Sequence, residues 1–219
     1  MPRSWLLDQL SDSAFPTGGF AHSSGLEAAW HQGEVRGPSA LLAFARSWAW
    51  QAGYGALPLV TAAHRGTEAL VELDARAETF LVSHVARRTS RTQGRAFLDT
   101  CARIFPAADA VRAQAAAQKL AMHHAPVFGA VLRSLDVELA DAQHVYLSLG
   151  ARGVMSAAVR LGVVGTHEAQ RLLTELAPEL GAVLQRCGAL EVDALAQTAP
   201  LLDLFGATHD RLYSRLFQS

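Results

Sequence analysis

Nine histidines, two cysteines and one glycine-rich run are the parts of this sequence that could do chemistry. The run is SDSAFPTGGFAHSSGLE, residues 11–27, and it contains no lysine or arginine. Glycine-rich turns that open a helix can cradle phosphate, because backbone N–H groups then point at the anion. A phosphate-binding loop also needs a lysine and then Ser or Thr after its last glycine. Here Gly25 is followed by Leu26 and Glu27. A dinucleotide-binding turn needs a buried strand before it, and Trp5 to Leu10 is too short and too polar to supply one. The segment therefore reads as a shaped turn. Pro16 fixes one backbone angle, and Gly18 and Gly19 allow conformations closed to other residues. Ser24 with Glu27 three residues on fits a capping box, and Phe20 then needs an apolar surface.

The histidines are His22, His31, His64, His84, His123, His124, His144, His167 and His209. None belongs to an HExxH motif, and no pair at i, i+4 has a carboxylate beside it. His123 and His124 are adjacent, so on a helix they would point about 100° apart and share an ion poorly. No metal site within one chain is expected, although a transient site at a symmetric interface stays open. Cys101 and Cys187 form no CxxC pair, which fits a reduced compartment. There is no GxSxG elbow. The chain is expected to carry no catalytic residue and no resident cofactor.

Two features point to partners instead. Between Glu78 and Asp99 there is no acidic residue, while His84, Arg88, Arg91 and Arg95 fall at helical spacing, with Arg87 beside them. Solvated helix faces usually mix in Glu partners at i, i+4, so an unpaired row suggests an acidic protein. Nucleic acid is not expected without interleaved aromatics. In HDRLYSRLFQS, residues 209–219, Leu212, Tyr213, Leu216 and Phe217 recur at helical spacing, flanked by Arg211 and Arg215. Burying four such side chains gives roughly 6–12 kcal/mol, close to the cost of ordering the backbone at about 1–2 kcal/mol per residue. Such a tail is poised between docking on its own body and folding into a partner's groove.

The elements that must position these residues are helical. Apolar residues recur at helical spacing almost throughout, and no stretch alternates with β-branched enrichment. Helices are expected over 41–52, over 56–72 with Pro58 in a first turn, and over 74–104 with a break near Gly94. Further ones open at Pro106, running through AQAAAQKLAM, and at Pro126. A central helix spans 138–162, and another starts with Thr166 as N-cap and is split by Pro178. The central helix gathers small residues, among them Gly150, Gly153, Ser156 and Ala157, which suit close helix packing within the domain or between two copies. The chain has 219 residues, half of them hydrophobic, and net charge −1. That is enough for one core, and no bulk field draws it to nucleic acid or anionic lipid. MPRSWLLDQLSDS has too short an apolar run for a signal peptide, and no stretch is long enough to span a membrane. The expectation is one all-α, helical-bundle-like domain of about ten helices over 1–219, in the cytoplasm. Residues 1–22 form an N-terminal segment and glycine turn, and 206–219 a docking tail.

The chain resembles the urease accessory protein F (UreF) family over essentially its full length. The resemblance rests on SDSAFPTGGFAHSSGLE (11–27), SRTQGRAFL (90–98), HHAPVFG (123–129), SAAVRLGVVGTHEAQRLL (156–173) and LYSRLFQS (212–219). It implies a non-enzymatic, all-helical, homodimeric scaffold for urease maturation. Such a scaffold bridges a second accessory protein, UreD (also called UreH), and the GTPase UreG for GTP-dependent nickel insertion into apo-urease, and modulates the GTPase step. Nickel then passes through the complex and GTP belongs to UreG. By position, Tyr213, Arg215, Leu216 and Phe217, with Arg211 and Leu212 beside them, look like the UreD/UreH anchor. Pro16, Gly18, Gly19 and Phe20 look like the same docking region. Arg87, Arg88, Arg91 and Arg95 are the expected face for UreG or another acidic partner, and Gly150, Gly153, Ser156 and Ala157 the expected dimer contact. Thr92 stands where many members carry an acid, and His22 where a tyrosine is common. One alternative is a nickel carrier using His22, His123 or His124 across a dimer. Another is a helical hydrolase with a non-standard site.

Overall fold

The computed structural model describes residues 3–12 and 14–219. Ser13 of the glycine-rich run and residues 1–2 of the N-terminal segment lie outside the described residues. Among the described residues the chain forms eleven α-helices and no strand, in one domain. They are α1 (Arg3–Ser11), α2 (Leu26–His31), α3 (Gly37–Gly55), α4 (Leu57–Arg65), α5 (Leu70–Phe80), α6 (His84–Ile104), α7 (Asp109–Ala117), α8 (His124–Ser134), α9 (Leu139–Arg160), α10 (Thr166–Cys187) and α11 (Pro200–Thr208). Short 3₁₀ turns occupy Gly19–Ala21, Pro106–Ala108, Val192–Ala194 and His209–Arg211.

Several boundaries differ from the sequence expectation, each for a local reason. The stretch over 74–104 breaks at 81–83 and not at Gly94. Ser83 caps α6 by accepting from the Ala86 N–H at 2.9 Å, whereas Gly94 lies inside an unbroken helix. Its lack of a side chain serves packing: a Cβ there would sit 2.0 Å from the Met122 carbonyl oxygen. The expected helix over 56–72 ends at Arg65, with left-handed Gly66 behind it. In AQAAAQKLAM the helix stops at Ala117: Lys119 is left-handed (φ 52°) and the Leu120 N–H turns back to the Ala115 carbonyl at 3.0 Å, and Asp74 takes the donors that follow. Its buried carboxylate accepts from the N–H groups of Ala121, Met122 and His123 at 2.6, 3.3 and 2.7 Å. Gly165, not Thr166, is the N-cap of α10, and Pro178 does not split that helix. Pro178 is exposed, so water can serve the carbonyl that loses its donor.

The core has two main parts. One gathers apolar side chains of α4, α5, α6 and α8, with Phe97 and Phe128 stacked 4.9 Å apart. The other joins α3, α9 and α10 and takes in Leu26 and Phe217. α9 contributes to both. Across its length Gln143 donates to the Thr61 hydroxyl at 2.8 Å and the Gly188 carbonyl at 2.7 Å.

Candidate functional site

The glycine turn, the first turn of α2, the arginine row of α6 and the tail meet on one face. Gly18 (φ 74°) and Gly25 (φ 85°) adopt the left-handed backbone that the run was expected to need, and Gly19 does not. Gly25 also gives α11 room, since a Cβ there would lie 3.2 Å from the Gly206 nitrogen. The capping box does not form. Ser24 is itself left-handed (φ 55°), and the Glu27 N–H donates to Ser23 Oγ at 3.4 Å.

The Glu27 carboxylate is turned to the tail instead. Oε1 accepts from the Leu216 N–H at 2.5 Å. Oε2 accepts from the Phe217 N–H at 3.2 Å and from His209 Nε2 at 2.8 Å. Glu27 and His209 are both buried. The tail end is tied to the turn as well. The Gln218 N–H donates to the Ala21 carbonyl at 2.8 Å, and the Ser23 N–H to the Ser219 carbonyl at 2.6 Å. Ser219 Oγ lies 2.6 Å from His22 Nδ1. Residues 212–219 therefore form a non-helical hook, and the helix read from the spacing of Leu212, Tyr213, Leu216 and Phe217 is not present. Its amide donors go to Glu27 and Ala21 rather than to carbonyls four residues back. Phe217 is buried, Leu212 half-buried, Leu216 51% exposed and Tyr213 fully exposed.

Arg160, at the end of α9, joins hook and turn. Its guanidinium lies 4.0 Å from the Phe20 ring centroid and 4.2 Å from that of Phe217. It also donates to the Phe20 carbonyl at 2.6 Å. Phe20 thus finds a cation on one face and keeps 67% of its surface exposed.

The arginine row is not unpaired. Arg88 grips Asp210 of the tail with two hydrogen bonds of 2.9 and 2.8 Å. His84 and Arg215 reach the same carboxylate at 3.1 and 3.0 Å. Arg88, and after it His84, hold Asp210 far below the usual carboxylate range. Arg87 and Arg91 lie 3.7 and 3.6 Å from Glu78. Burial raises the Glu78 pKa, but His123, Arg91 and Arg87 together lower it. The missing acids were supplied from α5 and from the tail, out of reach of an i, i+4 count. Two open clefts border the row. One of about 680 Å³ is lined by Arg88, Asp210, Arg215, Phe217 and Gln218. The other, of about 590 Å³, is lined by Arg88, Arg91, Thr92, Arg95, Ala96 and Asp99.

The two adjacent histidines are used structurally. His123 places Nε2 2.7 Å from Glu78 and Nδ1 3.1 Å from Ser90 Oγ. His124 stacks on Tyr146 and meets Phe97 and Phe128 edge-on. Among the described residues no group of three or more His, Cys, Asp or Glu could hold a metal ion. Burial pushes the Cys101 thiol up to about 12. In the small-residue helix, Gly150 makes room for Trp48, whose ring a Cβ would meet at 2.2 Å. Ala157 is buried, Gly153 has no neighbour within 4 Å of a Cβ position, and Ser156 is half-exposed. Sequence reasoning did not single out Arg160 or Asp210, and it read Glu27 only as a helix cap. A lone acid in an otherwise basic, apolar tail was the available signal for Asp210.

Fold and site together define an all-helical protein whose distinctive feature is a surface, a tail hooked onto a glycine turn. A family model described as UreF matches residues 35–177. The chain is 35% identical to the urease accessory protein F of Arabidopsis thaliana, over 98% of this chain and 92% of that protein. It is 34% identical to that of Oryza sativa subsp. indica, over 97% and 84%. It is 30% identical to the urease accessory protein UreF of Arthrobacter sp. (strain FB24), over 97% and 96%. The chain belongs to the UreF family of urease accessory proteins, and its role lies in urease maturation. Among the described residues no helix is long and apolar enough to cross a membrane.

Proposed function

We propose that the protein is a non-enzymatic, cytoplasmic scaffold that bridges UreD/UreH and UreG during GTP-dependent nickel insertion into apo-urease, and that it modulates the GTPase step. It works as a homodimer and holds no cofactor of its own; nickel passes through the complex and GTP stays on UreG. The hook and the glycine turn take UreD/UreH. The observation that carries this reading is the exposure of Phe20, Tyr213 and Leu216 on a turn and tail that Glu27, Ala21 and Arg160 hold in place. Large apolar side chains held out on a fixed frame suit burial in a partner. Arg95 and the neighbouring cleft suit an acidic surface of UreG, while Arg88 is already engaged by Asp210.

The test is co-purification of the tagged chain with UreD/UreH. Tyr213→Ala combined with Leu216→Ala removes one fully exposed and one half-exposed side chain outside the core clusters, so the chain should stay folded and lose the partner. Undiminished capture of UreD/UreH by a folded double variant overturns the docking assignment.

A further inference from the structure

A carboxylate without solvent contact must satisfy its lone pairs from protein donors. Glu27 does this with donors that all come from the tail: two successive backbone amides, Leu216 and Phe217, and the His209 ring. Two of these three donors are backbone, so that part of the fit does not depend on the Leu216 and Phe217 side chains. The chain bends at both residues, and the bend lets two successive N–H groups face one carboxylate. With the amides pinned this way, Phe217 is 5% exposed and Leu216 is 51% exposed. Asp210 on the arginine row fixes the other end of the hook, so the direction of residues 211–215 follows from these two carboxylates.

We propose that Glu27 is the positioning residue of the docking surface: it shapes the hook through its backbone and thereby presents Tyr213 and Leu216, without touching the partner itself. The proposal builds on the docking reading above and makes a separate claim about the isolated chain. An amide cannot replace this carboxylate. Glu27→Gln keeps the size but offers one acceptor oxygen where three donors converge, and it sets its own N–H groups against them. Charge-assisted bonds are also the stronger kind.

The experiment has two arms. In the isolated full chain, hydrogen exchange at fixed pH should find the Leu216 and Phe217 amides protected and those of Tyr213 and Ser214 fast. Exchange of all four at one rate in the parent protein overturns the proposal without any variant. Glu27→Gln should abolish the protection of Leu216 and Phe217 while amides of α6 and α9 keep theirs; protection retained in a folded variant also overturns it. The second arm is a double-mutant cycle for binding the docking partner. Glu27→Gln should weaken binding about tenfold or more, and add nothing once Tyr213→Ala and Leu216→Ala are present. A merely structural role would weaken both backgrounds equally, and that result overturns the positioning claim. If Tyr213→Ala with Leu216→Ala leaves affinity intact, the docking reading has failed, and the shaping of the hook is decided by the exchange arm alone.

Discussion

Two histidines, His22 and His124, make the protein sensitive to acid. Burial lowers the His124 pKa to about 4, with His22 adding repulsion. Burial, then Arg88 and His209, lower that of His22 to about 4 as well. Both are bases whose folded pKa lies below the unfolded value of about 6.5, so the unfolded chain binds more protons as the pH drops. Stability is full above about pH 6.5 and falls as pH moves toward 4, by at most about 2 kcal/mol per histidine at pH 5. The paired carboxylates Glu78 and Asp210, whose pKa values are lowered, add their own loss only at still lower pH. His124→Phe preserves the aromatic packing with Phe97, Phe128 and Tyr146 and removes one titrating site. Urea midpoints at pH 7.5 and 5.0 should differ less in this variant than in the parent. An equal difference would show that His124 does not carry the acid sensitivity. At this scale the sequence was only partly readable. The glycine turn was legible because a φ near +80° leaves few other residue types. The role of Glu27 was not, because its partners lie 182 to 190 positions away and its local spacing from Ser24 offered a plausible capping box.

Among the helices, glycines separate packing from tolerance. Gly94 lies where α6 crosses the loop before α8, and the atom an added Cβ would strike is the Met122 backbone oxygen at 2.0 Å. Backbone on both sides cannot yield as a flexible side chain can, so Gly94→Ala should destabilise the protein by about 3 kcal/mol. Gly181 lies within α10 with nothing within 4 Å of its Cβ position, and Gly181→Ala should stabilise by about 0.5–1 kcal/mol. Thermal unfolding of the two variants should move in opposite directions; a shared direction would contradict this reading of the α6 crossing. Most helices were legible because their apolar periodicity coincides with local punctuation, as at Pro58 and in the central helix. The failures came where tertiary structure outranked the local cue. Gly94 looked like a break and is a contact, Pro178 looked like a break and is solvated, and the tail's helical spacing lost to the internal acceptors that Glu27 and Ala21 provide.

For the molecule as a whole, the proposed homodimer rests on a smaller set of residues than the sequence suggested. Gly150 is needed for Trp48 and Ala157 lies inside the core, so both already serve packing within the subunit. Gly153 and Ser156 are one turn apart on the same helix and retain exposure. Close approach of two such helices depends on the absence of side chains at the crossing, so one long charged residue should be enough to prevent it. Gly153→Arg places its Cβ where the subunit's own structure has nothing within 4 Å. Arginine is also a better helix former than glycine. The variant should therefore fold with unchanged helicity and a melting temperature no lower than that of a dissociated parent, while light scattering reports half the parent mass. A dimeric Gly153→Arg protein would exclude this face of α9 from the subunit contact. A monomeric parent at the same concentration would remove the dimer from the proposed mechanism and leave the hook to act from a single chain.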